Sequence, residues 1–329
     1  MSLEPAEWCD ILKVLHHTYE IWSPGLDRQS YYHYIRRQMN HPWSRRNYTF
    51  LIYRDGPGLV ASCKLYRLQL SARGRLYRFA GVGAVYTQPD SRGMGYAQKM
   101  LTELIDRSRS EGADGMLLFT DIGPQFYERF GFRPLGCSEF FVNLPGGDNL
   151  KCEPGAFPEV DSLRALEPRV CPVELAHIPL LDRHYRRWLR GRPFGVARSE
   201  QYWSFKLGRE IFLHANSQWS WPRMELVTVD DESGASGYAL IEYSAKTLRA
   251  LEIAGPFQAR VNLWRNIFSL ALKRGARRIR AWEGLLPDFA HNLKMSPREW
   301  GCPMILPLVH AVETWTEYSP CPILELDHL

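Results

Sequence analysis

The stretch GAVYTQPDSRGMGYAQKM, from Gly83 to Met100, decides how this chain is read. An apolar, extended run ends at Pro89. Arg92-Gly93-Met94-Gly95-Tyr96-Ala97 follows, and then a helical pattern. Glycines remove side chains, so backbone amides can approach phosphate oxygens closely. A helix start leaves amides without partners and adds a partial positive charge. A strand, a glycine turn and a helix start, in that order, make a site for a pyrophosphate. As a bare hexapeptide, the same pattern also fits a plain turn.

Outward from this stretch, strands are expected at 48–53, 59–70 and 76–87, separated by turns at Asp55-Gly56-Pro57-Gly58 and Arg73-Gly74-Arg75. Helices are expected at 5–18 and 27–39, with Ser23-Pro24-Gly25 breaking between them. A helix over 91–108 places Ala97, Met100, Leu101, Leu104 and Ile105 on one stripe. Then come a short buried strand at 116–120, a short helix at 125–130 closed by Gly131, and a strand at 138–143. Consecutive strands pair antiparallel, and the helix between the third and fourth requires a crossover. The fold class is α/β, with a mixed, mostly antiparallel sheet.

Pro145-Gly146-Gly147-Asp148-Asn149 marks a boundary, dividing a first domain, 1–148, from a second, 149–329. Beyond it, helices are expected at 175–189 and 201–207, and strands at 224–229, 237–243 and 248–253. A long helix at 258–274 and a strand at 278–282 follow. This order echoes the first half and suggests a divergent copy of it. Ala254-Gly255-Pro256-Phe257 stands where the glycine turn would fall, but lacks its spacing, and Pro256 has no amide to donate. One pyrophosphate site is expected, in the first half.

With 329 residues, the chain has room for two domains, and 45% hydrophobic content supplies their cores. A formal charge of +5 favours an anionic ligand but is too small and scattered to argue for nucleic acid. The basic runs Arg186-Arg187 and Arg277-Arg278 read as a solvated helix face and a strand edge. Cys9, Cys63, Cys137, Cys152, Cys171, Cys302 and Cys321 are widely spaced and odd in number, which fits reduced thiols and no metal site. No apolar run approaches the ~20 residues of a membrane span. The N-terminus lacks a basic segment followed by an apolar run, so no signal peptide is expected. A cytoplasmic protein is expected, and a homo-oligomer is compatible with the sequence.

A second motif, Phe126-Tyr127-Glu128-Arg129-Phe130-Gly131-Phe132, follows the next strand. Together, Arg92–Ala97 and Tyr127-x-x-x-Gly131-Phe132 resemble, in order and spacing, the GNAT superfamily of N-acetyltransferases over residues 45–145. The resemblance implies acetyl-CoA as co-substrate and an amine as acceptor. Val85, Tyr86 and Thr87 would present main-chain groups to the pantetheine arm. Arg92, Gly93, Met94, Gly95, Tyr96 and Ala97 would cradle the pyrophosphate. Tyr127 would stand near the sulfur and protonate the leaving thiolate, since a phenol of pKa ~10 donates to it and is easily restored.

An amine of pKa ~10.4 must also lose a proton. Asp121 is the candidate base, Glu20, Asp27, His16 and His17 lie in the helices that cover the acceptor in this superfamily, and water is the alternative. Trp22–Leu26, His41-Pro42-Trp43, Ala61–Lys64 and Asp121-Ile122-Gly123 resemble segments of fungal lysine N6-acetyltransferases, which implies a small amine such as lysine. A peptide or protein acetyltransferase and a non-catalytic acyl-CoA sensor are the other readings. In some multidomain relatives a C-terminal carboxylate enters the active site. Here Leu326–Leu329 is expected to be a frayed tail.

Overall fold

Two-residue turns set the register of the first sheet. At Arg73-Gly74 both residues have positive φ, the requirement of the hairpin turn whose twist matches its strands. The computed structural model describes residues 1–136, 138–144, 167–219, 221–230, 236–285, 293, 295–298, 300–318 and 321–329. The boundary at 145–149, together with Cys137 and Cys152, lies outside the described residues.

In chain order, β1 (Ser2–Pro5) precedes the helices α1 (Trp8–Trp22), α2 (Arg28–Asn40) and α3 (Ser44–Asn47). Next come β2 (Tyr48–Asp55), β3 (Gly58–Ala72), β4 (Arg75–Thr87), α4 (Tyr96–Ser110) and β5 (Gly115–Thr120). Then follow α5 (Gln125–Glu128), β6 (Arg133–Pro134), β7 (Ser138–Asn143), β8 (Arg169–Pro172), α6 (Ile178–Arg190), β9 (Gly195–Val196) and α7 (Glu200–Asn216). Last are β10 (Glu225–Val229), β11 (Gly237–Ser244), β12 (Thr247–Ala254), α8 (Phe257–Lys273), β13 (Arg278–Trp282), β14 (Met295–Pro297), β15 (Cys302–Pro307) and α9 (His310–Glu313).

These strands form two mixed sheets, in the orders β1-β2-β3-β4-β5-β15-β6 and β14-β7-β13-β12-β11-β10-β8, with β9 pairing to β3. Each sheet has one parallel neighbour pair made by a crossover helix. These are β4–β5 across α4 and β12–β13 across α8. The mixed, mostly antiparallel α/β class is therefore the observed one.

The two sheets exchange strands. β7, from the first half of the chain, pairs with β13 in the second sheet. β15, from the end of the chain, pairs antiparallel with β5 from Cys302↔Thr120 to Pro307↔Gly115 in the first. Local pattern shows that 138–143 is a strand, but its partner is fixed by which edge its apolar residues can cover. Phe140 and Val142 are buried in the core of the second sheet, against Ile279 and Trp264 among others.

The helix expected at 91–108 begins at Tyr96, because Gly93 and Gly95 adopt positive φ and hold the preceding segment in a turn. Its buried stripe is Tyr96, Met100, Leu101, Leu104 and Ile105, and Ala97 is only half-buried. Full burial of a leucine contributes roughly 1.5–3 kcal/mol, so this stripe suffices to seat the helix on β3, β4 and β5. The helix expected at 201–207 runs on to Asn216, started by Ser199, whose side chain accepts from the Tyr202 amide.

Candidate active site

Two irregularities in β4 open a slot. Ser62 pairs with Tyr86 but Lys64 pairs with Gly83, so β4 carries one extra residue at Ala84–Val85. Ala84 has φ +48, a strained value for a residue with a side chain. Pairing between β4 and β5 stops at Val82↔Leu118, although both strands continue. A bulge followed by the parting of two parallel strands leaves main-chain groups of β4 facing a gap. Val85 lines that gap, while the Tyr86 side chain is buried beneath it and Thr87 is half-buried.

At the outer end of β4 is the glycine turn. Gly93 has φ +77 and Gly95 φ +78, and a side chain on Gly93 would meet nothing within 4 Å. α4 starts after Gly95 with no side chain capping its first turn. Its first amides thus have no side-chain partner, and the positive end of the helix dipole lies with them. Arg92 and Met94 are exposed, and Arg92 reaches back to the Thr87 carbonyl, its Nε donating at 3.4 Å. The chemistry and geometry of this turn suit a pyrophosphate.

The slot leads into a cavity of about 710 Å³ whose lining comes from both sheets. Val82–Val85, Lys64 and Tyr66 come from the first, and Glu242, Arg249 and Leu251 from the second. Tyr127 and Asp121 both line it. Burial pushes the Tyr127 phenol up to about 12, with Asp121 and Cys63 adding to the shift, so it holds its proton across neutral pH. Asp121 is exposed, and its Oδ1 accepts from the Gly301 amide at 2.7 Å.

Glu20, Asp27, His16 and His17 are not brought to the cavity. Asp27 caps α2 by accepting from the Ser30 amide at 2.7 Å. Glu20 pairs with Arg28 at 3.9 Å, and His16 contacts the same arginine. α1 and α2 instead contribute Trp22, Tyr31, Tyr34, Ile35 and Gln38 to the lining.

The tail corrects the expectation of fraying. Leu324 and Leu326 are buried, and Asp327 meets the fully buried Arg198 with both oxygens, Nε at 2.9 Å and Nη2 at 2.8 Å. Glu325 pairs with Arg249, and the His328 carbonyl accepts from Lys206 Nζ. Buried cations require acceptors, and the tail supplies them. Leu329 thereby enters the cavity. A Cβ on Gly81 would stand 2.6 Å from its Cδ1, and one on Gly83 would stand 3.6 Å from its main-chain carbon. At Gly81 a larger residue would displace the Leu329 side chain, whereas at Gly83 Leu329 stands at ordinary contact distance.

Several lining residues had no sequence signal strong enough to select them: Lys64, Lys206, Arg209, Glu242 and Arg249. Lys206, Arg209, Glu210 and Leu213 do recur at helical spacing on α7 and share its cavity face. That spacing beside Trp203 and Phe205 is the signal that cations lie buried there.

The matching family description for residues 4–135 is the acetyltransferase (GNAT) domain. Residues 4–135 belong to the GNAT family. The match begins upstream of α1, so the GNAT domain includes the two helices over the cavity as well as β2–β5. No curated protein matches the chain by sequence. Among solved structures, a GCN5-related N-acetyltransferase from Kribbella flavida has TM-score 0.62 at 16% identity, over 92% of this chain and 70% of that one. A probable N-acyltransferase of unknown function from Enterococcus faecalis V583 has TM-score 0.65 at 13% identity, over 93% and 72%. A GCN5-related N-acetyltransferase from Anabaena variabilis has TM-score 0.63 at 12% identity, over 94% and 73%. At these identities the likeness is one of fold, and it extends over both sheets. Among the described residues, no helix is long and apolar enough to cross a membrane.

Proposed function

We propose that this GNAT protein transfers an acetyl group from acetyl-CoA to the amine of a small molecule such as lysine, in the cavity between its sheets. The observation that carries this reading is a strand that bulges into the cavity and then leads to a glycine turn. The uncapped turn at Gly93–Gly95 follows the bulged end of β4, and the bulge residues Ala84 and Val85 line one cavity with the buried Tyr127. Acetyl-CoA supplies a thioester carbonyl activated toward amines. The amides from Gly93 to Ala97 hold its pyrophosphate, with Arg92 shaping the turn. Main-chain groups of Val85, Tyr86 and Thr87 align the pantetheine arm.

In the transfer, the amine nitrogen bonds to the carbonyl carbon and the carbon–sulfur bond breaks. The Tyr127 hydroxyl gives its proton to the sulfur and is restored from solvent. Its buried setting keeps the hydroxyl protonated at neutral pH, so the proton is there to give. Asp121 and water are the acceptors available for the ammonium proton. Where Leu329 bears a terminal carboxylate, that group, beside Gly83, is a third, and appending one residue tests it.

The size and two-sided lining of the cavity favour a small amine over a polypeptide. The second half is read as a degenerate copy of the fold. Its β12 carries an extra residue at Leu251 and parts from β13 after Ala250, as β4 does from β5, yet α8 starts after Gly255-Pro256 without a glycine turn. A copy so built walls the acceptor site and binds no pyrophosphate.

Thiol release from acetyl-CoA against amino acids, polyamines, aminoglycosides and peptides tests the reading. Release with small amines is expected, and release with none of them would refute it. Gly95→Glu places bulk and negative charge in the cradle and should abolish acetyl-CoA binding in a calorimetric titration.

A further inference from the structure

The cavity carries four cationic side chains, Lys64, Lys206, Arg209 and Arg249, and four carboxylates, Asp121, Glu210, Glu242 and Glu325. Most of them are accounted for within the protein. Arg249 is held between Glu242, at 3.0 Å, and Glu325. Lys206 donates to the His328 carbonyl, and Asp121 accepts from Gly301.

Arg209 differs. Its Nε donates to the Tyr34 hydroxyl at 3.3 Å, while its Nη1 is buried and has no hydrogen-bond partner. Glu210 is next to it on α7, but among the described residues no carboxylate lies within ion-pair distance of Arg209 or of Lys64. The Tyr48 hydroxyl, beneath the same wall, is likewise buried without a partner. A buried guanidinium with an unsatisfied N–H is costly unless a ligand completes it. Its planar fork matches oxyanions, a carboxylate among them. Lys64 sits opposite Gly83 across the β3–β4 ladder, so it adds a second N–H donor close to the bulge.

We propose that Arg209, oriented by Tyr34 and flanked by Lys64, is a carboxylate-binding subsite for the acceptor, which is therefore an amine that also carries a carboxylate, as amino acids do. This rests on the acetyltransferase reading above and narrows its substrate class. Arg209 supplies the charge and Lys64 a further donor to the acceptor's carboxylate, while its amine is turned toward Val82–Val85 and Tyr127. An amine lacking the carboxylate leaves Arg209 desolvated and unpaired. Discrimination then comes from that unmet group as well as from the lost bond.

The test uses matched pairs with the unaltered protein saturated with acetyl-CoA: L-lysine against cadaverine, L-ornithine against putrescine, and L-tyrosine against tyramine. Each pair differs by one carboxyl group. In the pair that is turned over, the amino acid is expected to have kcat/KM at least about tenfold higher, the scale of one charge-assisted hydrogen bond. Arg209→Gln should erase that preference, by raising KM for the amino acid relative to KM for the decarboxylated amine. Equal use of both members by the unaltered protein would overturn the subsite and leave the acetyltransferase reading intact. So would an equal loss on both members in Arg209→Gln. No thiol release with any amine would overturn the acetyltransferase reading and the subsite together.

Discussion

Tyr127 and Lys64 are opposite cases of what burial does to a titrating side chain. Burial holds the proton on Tyr127 and drives it off Lys64, pushing that ammonium down to about 7, with Arg209 adding repulsion. For Tyr127→Phe, kcat should fall by about 10²- to 10⁴-fold, the usual range for a positioned acid. Acetyl-CoA affinity, read by calorimetry, should be unchanged, and an unaltered kcat would remove Tyr127 from the chemistry.

Lys64 makes a prediction about stability. Between pH 7 and ~10.4 the folded protein has released this proton while the unfolded chain still binds it. The Lys64 contribution therefore makes stability rise with pH across that window. Tyr31 and Tyr66, each pushed up to about 12 by burial, act the other way only above ~10, where the unfolded chain loses their protons first. Lys64→Met should flatten the rise of Tm between pH 7 and 10. Tyr127 was legible in the sequence because it recurs at fixed spacing before Gly131-Phe132. Lys64 appeared only as the end of the Ala61–Lys64 segment and without a role, since nothing local distinguishes a strand lysine that points into a cavity from one that points into water.

At the scale of elements, the bulge of β4 and the tail define the site together. The bulge turns backbone groups toward the slot, and the tail brings Leu329 to the same place past Gly81 and Gly83. The anchor is the buried cluster of Arg198, Glu252 and Asp327, with Tyr202 and Tyr238 hydrogen-bonded to its carboxylates. Removing one member of a buried pair leaves a desolvated charge and costs roughly 3–5 kcal/mol. Asp327→Ala should lower stability on that scale in a denaturant titration. In the fraction that remains folded it should lower turnover as well, because the tail is freed from the cavity. Full turnover in a destabilised Asp327→Ala protein would show that the tail is structural only. The glycine turn was readable because its residues are contiguous. The anchor was not, because Arg198 and Asp327 are far apart in sequence and each alone reads as an ordinary surface charge.

Across the whole molecule, the exchange of β7 and β15 ties the two sheets into one structure. Residues 1–148 lack β15, so β5 would present an unpaired edge carrying Leu117 and Leu118. A fragment of those residues is expected to aggregate, while the full chain unfolds in one transition when tryptophan fluorescence and circular dichroism are compared. A monomeric, cooperatively folded fragment in sedimentation would contradict this. The exchange also explains why the cavity is lined from both sheets.

The sequence by itself determined the ligand class and the reaction family. The glycine turn, the strand before it and the Tyr127 motif act through contiguous backbone, and local pattern is sufficient to specify contiguous backbone. Tertiary structure alone decided which strand completes which sheet, that the tail is buried, and that Arg209 and Lys64 face one cavity without a carboxylate partner. Those facts depend on which distant surfaces exclude water from each other, and local sequence does not encode that.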